Sequence, residues 1–123
     1  HVCMRWFVVD DHAAFSAAAR ALLESAGDTV VGESDGTGGT RAIVEGIRTS
    51  GADTALVDVG LTEGDGLTVV ADSAHTLPGV RWVLISSRPR STYQSRLTDS
   101  PAAGFVSKED LSVAILAAAL GPR

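Results

Sequence analysis

Asp10 and Asp11, Asp58, Ser86 and Lys108 each stand at the C-terminal end of a short apolar run. Together they supply what handling a phosphoryl group needs: carboxylates that hold a cation or attack phosphorus, a hydroxyl that donates, and an ammonium that neutralises. Adjacent carboxylates are awkward alone, because like charges about 4 Å apart repel by about 4 kcal/mol at an effective dielectric of 20. Asp58 would add a third. A raised pKa or a divalent cation relieves such repulsion, and an all-oxygen set points to Mg²⁺ rather than zinc. Asp11, Asp58 and a backbone carbonyl from the turn after Asp58 could hold the ion, with water completing the octahedron. Asp58, at the end of the central strand, is the expected nucleophile for phosphoryl transfer onto an aspartate. His12 follows the acidic pair and is read as the opening of a helix, not as a ligand.

Each residue also has an ordinary reading. Asp10, Asp11 and Asp58 could be helix or strand-end caps, Ser86 a turn residue, and Lys108 a solvated surface charge. Capping does not explain why all four ends carry such groups at once.

The elements that must bring these residues together are strands alternating with segments of helical period, the pattern of βαβ units and a parallel α/β sheet. Strands are expected at Arg5 to Val9, Thr29 to Glu33, Thr54 to Val57, Arg81 to Ile85 and Gly104 to Ser107. In an open sheet of this kind the carboxyl ends of the strands share one edge, where ligands bind. Phe15, Ala18, Ala19, Leu22, Leu23 and Ala26 mark a first helix stopped by Gly27, and Ile43 and Ile47 a weaker second. Leu67, Val70, Ala71 and Ala74 mark a third, ended by Pro78 and Gly79. Ser91 to Asp99 is rich in Ser and Thr, with only Tyr93 and Leu97 as apolar anchors, and is expected to be labile. A last helix is expected from Glu109 to Leu120. It has one stripe of Leu111, Ala114, Ile115 and Ala118 and an extra one of Val113, Leu116 and Leu120. The Gly36 to Gly39 run lacks the Walker lysine and the dinucleotide spacing, and reads as a turn.

At 123 residues and 45% apolar content the chain has the material for one domain with a real core. A net charge of −5 with no run of Lys or Arg excludes the footprint of non-specific nucleic-acid binding. Cys3 is the only cysteine, so no internal disulfide forms; it is expected to be a small buried hydrophobe in a reducing cytosol. The apolar stretch Trp6 to Val9 is too short to span a membrane and runs into two aspartates, unlike a signal peptide. The first residue is His1, and Met4 is expected to lie nearer the natural start.

Val8-Val9-Asp10-Asp11-His12, Ala55-Leu56-Val57-Asp58, Gly66-Leu67, Leu84-Ile85-Ser86-Ser87 and Gly104-Phe105-Val106-Ser107-Lys108 span nearly the whole chain. In their order and spacing they resemble the receiver domain of bacterial two-component response regulators. The resemblance implies one receiver domain over residues 1–123, with a doubly wound five-stranded parallel sheet of order 2-1-3-4-5 in a CheY-like three-layer sandwich. It implies that Asp58 accepts phosphate from a sensor histidine kinase, that Asp11 and Asp58 bind Mg²⁺ directly, and that Asp10 does so mainly through water. It also implies that Ser86 and Lys108 contact the phosphoryl group and that Phe105 is an aromatic switch on the last strand. Such a domain is no enzyme in its own right, although it assists its own phosphorylation and dephosphorylation.

The Asp-Asp-His start, the Gly-Phe-Val-Ser-Lys end and Asp110-Leu111 to Ala114-Ile115 look most like the NarL/LuxR-type subgroup. That subgroup carries a C-terminal helix-turn-helix, so phosphorylation-controlled dimerisation and transcriptional output are implied, with DNA contacted only through an output domain absent from this chain. Three positions depart from the family: Thr62 where proline is usual, Gly60 two residues after Asp58 with a carbonyl that should still reach Mg²⁺, and Arg88 two after Ser86. Two rivals remain. A phosphorylation-independent receiver would dimerise through Val113, Leu116 and Leu120. An aspartyl-phosphate phosphohydrolase would need a second Asp where Gly60 stands.

Overall fold

Residues two apart on a strand share a face, so a strand buried on both sides must be apolar at consecutive positions. All five residues of Thr54–Asp58 are buried, as is every residue but the first in Arg5–Val9 and Arg81–Ser86. The structure, a computed structural model, describes residues 3–121. It runs β1 (Arg5–Val9), α1 (Ala13–Ser25), β2 (Thr29–Ser34), α2 (Gly39–Ser50), β3 (Thr54–Asp58), α3 (Gly66–Ser73), β4 (Arg81–Ser86), α4 (Ser95–Thr98), β5 (Gly104–Ser107) and α5 (Val113–Leu120). The strands form one parallel sheet in the order β2-β1-β3-β4-β5, the fold and strand order the sequence implied.

Alternation along the strands makes two cores. Phe7, Val9, Ala55, Val57, Trp82 and Leu84 pack with Ile43 and Ile47 of α2 and Leu67, Val69 and Val70 of α3. Trp6, Val8, Leu56, Val83 and Ile85 pack on the other face with Ala19 and Leu23 of α1 and Leu116 and Leu120 of α5. Each fully buried leucine or valine adds about 1.5–3 kcal/mol by area. The strand register then fixes the edge: Asp58 pairs with Ile85 and Ser86 with Ser107, so the residues following β1, β3, β4 and β5 converge.

Three expectations are corrected. Helix α5 begins at Val113, not Glu109, because Ser112 caps it, its Oγ accepting the Ile115 N–H at 3.1 Å. Serine satisfies a free N-terminal donor better at a cap than inside a helix. Lys108–Asp110 is a separate 3-10 turn, and Leu111 is extended. Two of the three residues of the stripe expected to be spare, Leu116 and Leu120, are buried; its third, Val113, is exposed, as is Ile115 of the other stripe. Dimerisation through Val113, Leu116 and Leu120 would therefore unpack the core. Cys3 is exposed rather than buried.

The Gly36 to Gly39 run is a turn, with Gly36 at φ 91° and Gly38 at φ 88°, backbone that glycine enters without strain. Residues 91–99 form no continuous helix. A 3-10 turn, Arg90–Thr92, is separated from the one-turn α4 by Tyr93 and Gln94. Among the described residues no helix is long and apolar enough to cross a membrane.

Candidate functional site: an acidic pocket at the sheet edge

The pocket is a consequence of where the strands end. Asp10 and Asp11 leave β1, Asp58 closes β3, and Lys108 follows β5. Lys108 Nζ lies 2.7 Å from Asp10 Oδ2 and 3.3 Å from Asp58 Oδ2. Its ammonium also sits 4.4 Å from the centroid of the Phe15 ring. The Gly60 N–H donates to Asp58 Oδ1 at 3.1 Å, which places the turn after β3 directly against the central carboxylate.

Asp10, Asp11, His12 and Asp58 each present a ligand atom within 4.8 Å of the others. The buried oxygens Asp10 Oδ2 and Asp11 Oδ1 accept no hydrogen bond; their charges are met only by Lys108 and by His12, whose Nδ1 is 3.0 Å from Asp11 Oδ1. Clustered carboxylate oxygens with open acceptor capacity fit a small hard divalent cation such as Mg²⁺. Asp10, Asp11 and Asp58 are the side chains that could hold it.

Burial pushes the Asp58 carboxyl above the ordinary carboxylate range and the neighbouring Asp10 charge adds to it, against the pull of the Gly60 amide and Lys108. In Asp11 the Thr62 hydroxyl, with help from His12, holds the carboxyl below that range. A carboxyl raised on folding favours its protonated form. Its contribution to stability is therefore present below the unfolded pKa and is lost as pH rises through the folded value. Asp58→Asn, which mimics the protonated form, is expected to melt at a higher temperature than the parent at pH 7. The difference should shrink as pH falls towards 4. Melting curves at both pH values check this, and a variant that melts lower than the parent at pH 7 contradicts it.

Of the residues singled out in the sequence, Asp10, Asp11, Asp58 and Lys108 are brought together, with the Gly60 amide on Asp58. Ser86 is buried at the end of β4 but bonds elsewhere: its Oγ lies 2.6 Å from the Tyr93 phenol and accepts the Arg88 N–H at 3.0 Å. Phe105 is half-buried, 5.8 Å from the Tyr93 ring centroid, with the Arg90 guanidinium 5.7 Å from its own. Asp58 itself is at the floor of the pocket, its side chain 4% exposed, below a His12 ring that is 67% exposed.

Three residues were missed as participants. His12 does open α1, yet its ring also turns into the acidic cluster, 3.2 Å from Asp10 Oδ1. The Thr62 hydroxyl donates to Asp11 Oδ2 across 51 positions; the signal was a hydroxyl standing in place of the family's proline. Tyr93, the one tyrosine of the chain, was read only as an apolar anchor.

A parallel five-stranded sheet with this edge defines the receiver class of signalling domains. The sequence profile of the response regulator receiver domain matches residues 6–119, and the chain belongs to that family. It is 36% identical over 112 residues, 90% of its length, to a Pseudomonas aeruginosa protein described as a transcriptional regulator. It is 33% identical over 104 residues, 84% of its length, to the Bordetella pertussis virulence factors transcription regulator BvgA. These matches cover 53% and 48% of the two proteins, so the chain spans about half the length of the curated relatives. Among solved structures, the receiver domain of a Mycobacterium tuberculosis response regulator described as NarL superposes with TM-score 0.78 at 31% identity, covering 99% of this chain and 100% of that one. The isolated receiver domain of Salmonella enterica RcsB, determined with the phosphomimetic BeF3−, shares the fold with TM-score 0.77 at 21% identity, over 89% of this chain and 80% of that one.

Proposed function

We propose that this two-component receiver domain is a phosphorylation switch in which Asp58 is the phosphoacceptor. The observation that carries the reading is Lys108, at the end of β5, reaching both Asp58 on β3, two places along the sheet, and Asp10 after β1, three places along. An Oδ of Asp58 attacks the phosphorus of a kinase phosphohistidine or an acyl phosphate. The new P–O bond forms as the donor's P–N or P–O bond breaks, and the donor leaves with that electron pair. Asp11, Asp58 and the Gly60 carbonyl would hold Mg²⁺ directly and Asp10 through water, and the ion would supply positive charge beside the transferring group. Lys108 shares that work from the opposite side, the Gly60 amide steadies Asp58, and Ser86 donates to a phosphoryl oxygen. Access requires the exposed His12 ring to turn aside from the carboxyl beneath it.

The product carries about two negative charges where one stood. The response passes through Ser86 and Phe105 to the surface of α4, β5 and α5, the part of the fold least buried around the site. The domain acts in the cytoplasm with a sensor histidine kinase, and phosphorylation controls dimerisation. DNA is contacted by a helix-turn-helix output domain and not by the receiver itself, a reading supported by relatives described as transcriptional regulators.

Incubation with Mg²⁺ and acetyl phosphate followed by intact mass measurement tests the reading. One added phosphoryl group is expected in the parent and none in Asp58→Asn or without Mg²⁺. No gain in the parent, or an equal gain in the variant, overturns it.

A further inference from the structure

We propose that Tyr93 is a positioning residue that latches Ser86 away from the phosphorylation site, with Gln94 as the strained hinge of the latch; this rests on the phosphoacceptor reading above. A phosphoryl oxygen only accepts hydrogen bonds, so Ser86 can serve it only by directing its single proton there. In this structure the Ser86 Oγ is turned instead to the Tyr93 phenol at 2.6 Å and the Arg88 amide at 3.0 Å. Either oxygen of the Ser86–Tyr93 pair can donate; the latch takes the Ser86 proton as the one shared, so serving the phosphoryl group means giving up that bond.

The segment bearing Tyr93 is built to let go. Gln94 has φ 40° and ψ −115°, the one non-glycine residue with positive φ among the described residues. That conformation mirrors an extended one and is entered freely by glycine alone, so it persists only where flanking contacts hold it. Such contacts flank it on both sides. On one side Tyr93 is tied to Ser86 and lies against Phe105. On the other, Arg96 donates to both oxygens of Asp65 at 2.8 and 3.0 Å. When Ser86 turns to the phosphoryl group the first tie is lost, Gln94 relaxes, and the Arg90–Thr98 segment moves with Phe105. Phosphorylation is thereby opposed by one hydrogen bond and assisted by the release of backbone strain.

The two variants should therefore move in opposite directions, which a merely supporting role would not produce. Beryllofluoride with Mg²⁺ serves as the phosphoryl mimic, and its affinity is read by titration of the intact chain. Tyr93→Phe is expected to bind about fivefold tighter, the equivalent of one net hydrogen bond of about 1 kcal/mol. Gln94→Gly, which removes the strain while leaving the tie, is expected to bind about fivefold weaker or worse. Because Tyr93 is the one tyrosine, ring-labelled tyrosine gives a single NMR resonance, expected to shift when the mimic binds the parent.

Weaker binding by Tyr93→Phe would mean that the phenol prepares Ser86 rather than restrains it, and overturns the latch. So does tighter or unchanged binding by Gln94→Gly, or a tyrosine resonance that stays put while the mimic binds. Failure of the parent to bind the mimic at all removes the phosphoacceptor reading along with the latch, and is told apart from the other failures by that absence of binding.

Discussion

Lys108→Met is expected to cost the fold about 3–5 kcal/mol and to slow phosphoryl uptake by about two to three orders of magnitude. The stability loss arises at Asp10. Its side chain is fully buried, and Lys108 supplies the ion pair to its Oδ2, an oxygen that accepts no hydrogen bond. Removing the ammonium leaves that charge uncompensated beside Asp11 and Asp58, and an unpaired buried charge costs far more than the pair itself contributes. Methionine keeps most of the apolar stem against the Phe15 ring, so lost packing is a minor part of the effect. The rate loss arises separately, because the ammonium 3.3 Å from Asp58 Oδ2 is nearer to it than the His12 ring nitrogen at 3.9 Å and is placed to meet charge developing there. Urea unfolding with and without Mg²⁺ checks the first part: the loss should be smaller with the metal, which neutralises the same cluster. A loss below about 1 kcal/mol, or one indifferent to Mg²⁺, contradicts the account.

Gly66→Ala is expected to be at least as disruptive, for a steric reason. A Cβ at Gly66 would stand 2.2 Å from the carbonyl oxygen of Asp58, 2.8 Å from its carbon and 3.0 Å from the Val59 Cα. All three are backbone atoms and cannot swing away. The first turn of α3 would have to lift off the end of β3, breaking the Gly66 N–H bond to the Val59 carbonyl. A loss of about 3 kcal/mol or more is expected. The loop joining β3 to that turn carries Gly60, whose amide steadies Asp58, and Thr62, which holds Asp11, so phosphorylation should fall further than stability alone explains. Gly60→Ala is the control, since its Cβ would come no nearer than 3.9 Å to Asp58 Oδ1. Thermal melts of both variants check the contrast, and similar Tm values for the two would contradict it.

The strands were legible because a parallel sheet is covered on both faces. Ala55, Leu56 and Val57 are all fully buried, and such a run stands out in one dimension. The site was legible for the same reason: each strand stops where the first polar group faces solvent or a ligand, so Asp58 and Lys108 mark strand ends as well as chemistry. What escaped depends on contacts between distant residues. The Thr62 hydroxyl means nothing until the loop after β3 folds against Asp11. Ser86 pairs with the Tyr93 phenol, a contact that nothing in the composition of residues 91–99 fixes. The start of α5 was misplaced for a local reason: apolar period runs through Leu111, but Ser112 caps better than it propagates a helix. Leu116 and Leu120 were a separate miss: they pack on the sheet, which the period of the helix alone does not reveal.

Locating the phosphoryl group on the chain tests the central claim most directly. An aspartyl phosphate is an acyl phosphate, which borohydride reduces to the corresponding alcohol, converting the modified aspartate into homoserine. After treatment with Mg²⁺ and acetyl phosphate, reduction and peptide mass mapping should find homoserine at position 58 alone. Homoserine at position 10 or 11, or a borohydride-resistant phosphate on Ser86, would contradict the assignment of Asp58 as phosphoacceptor.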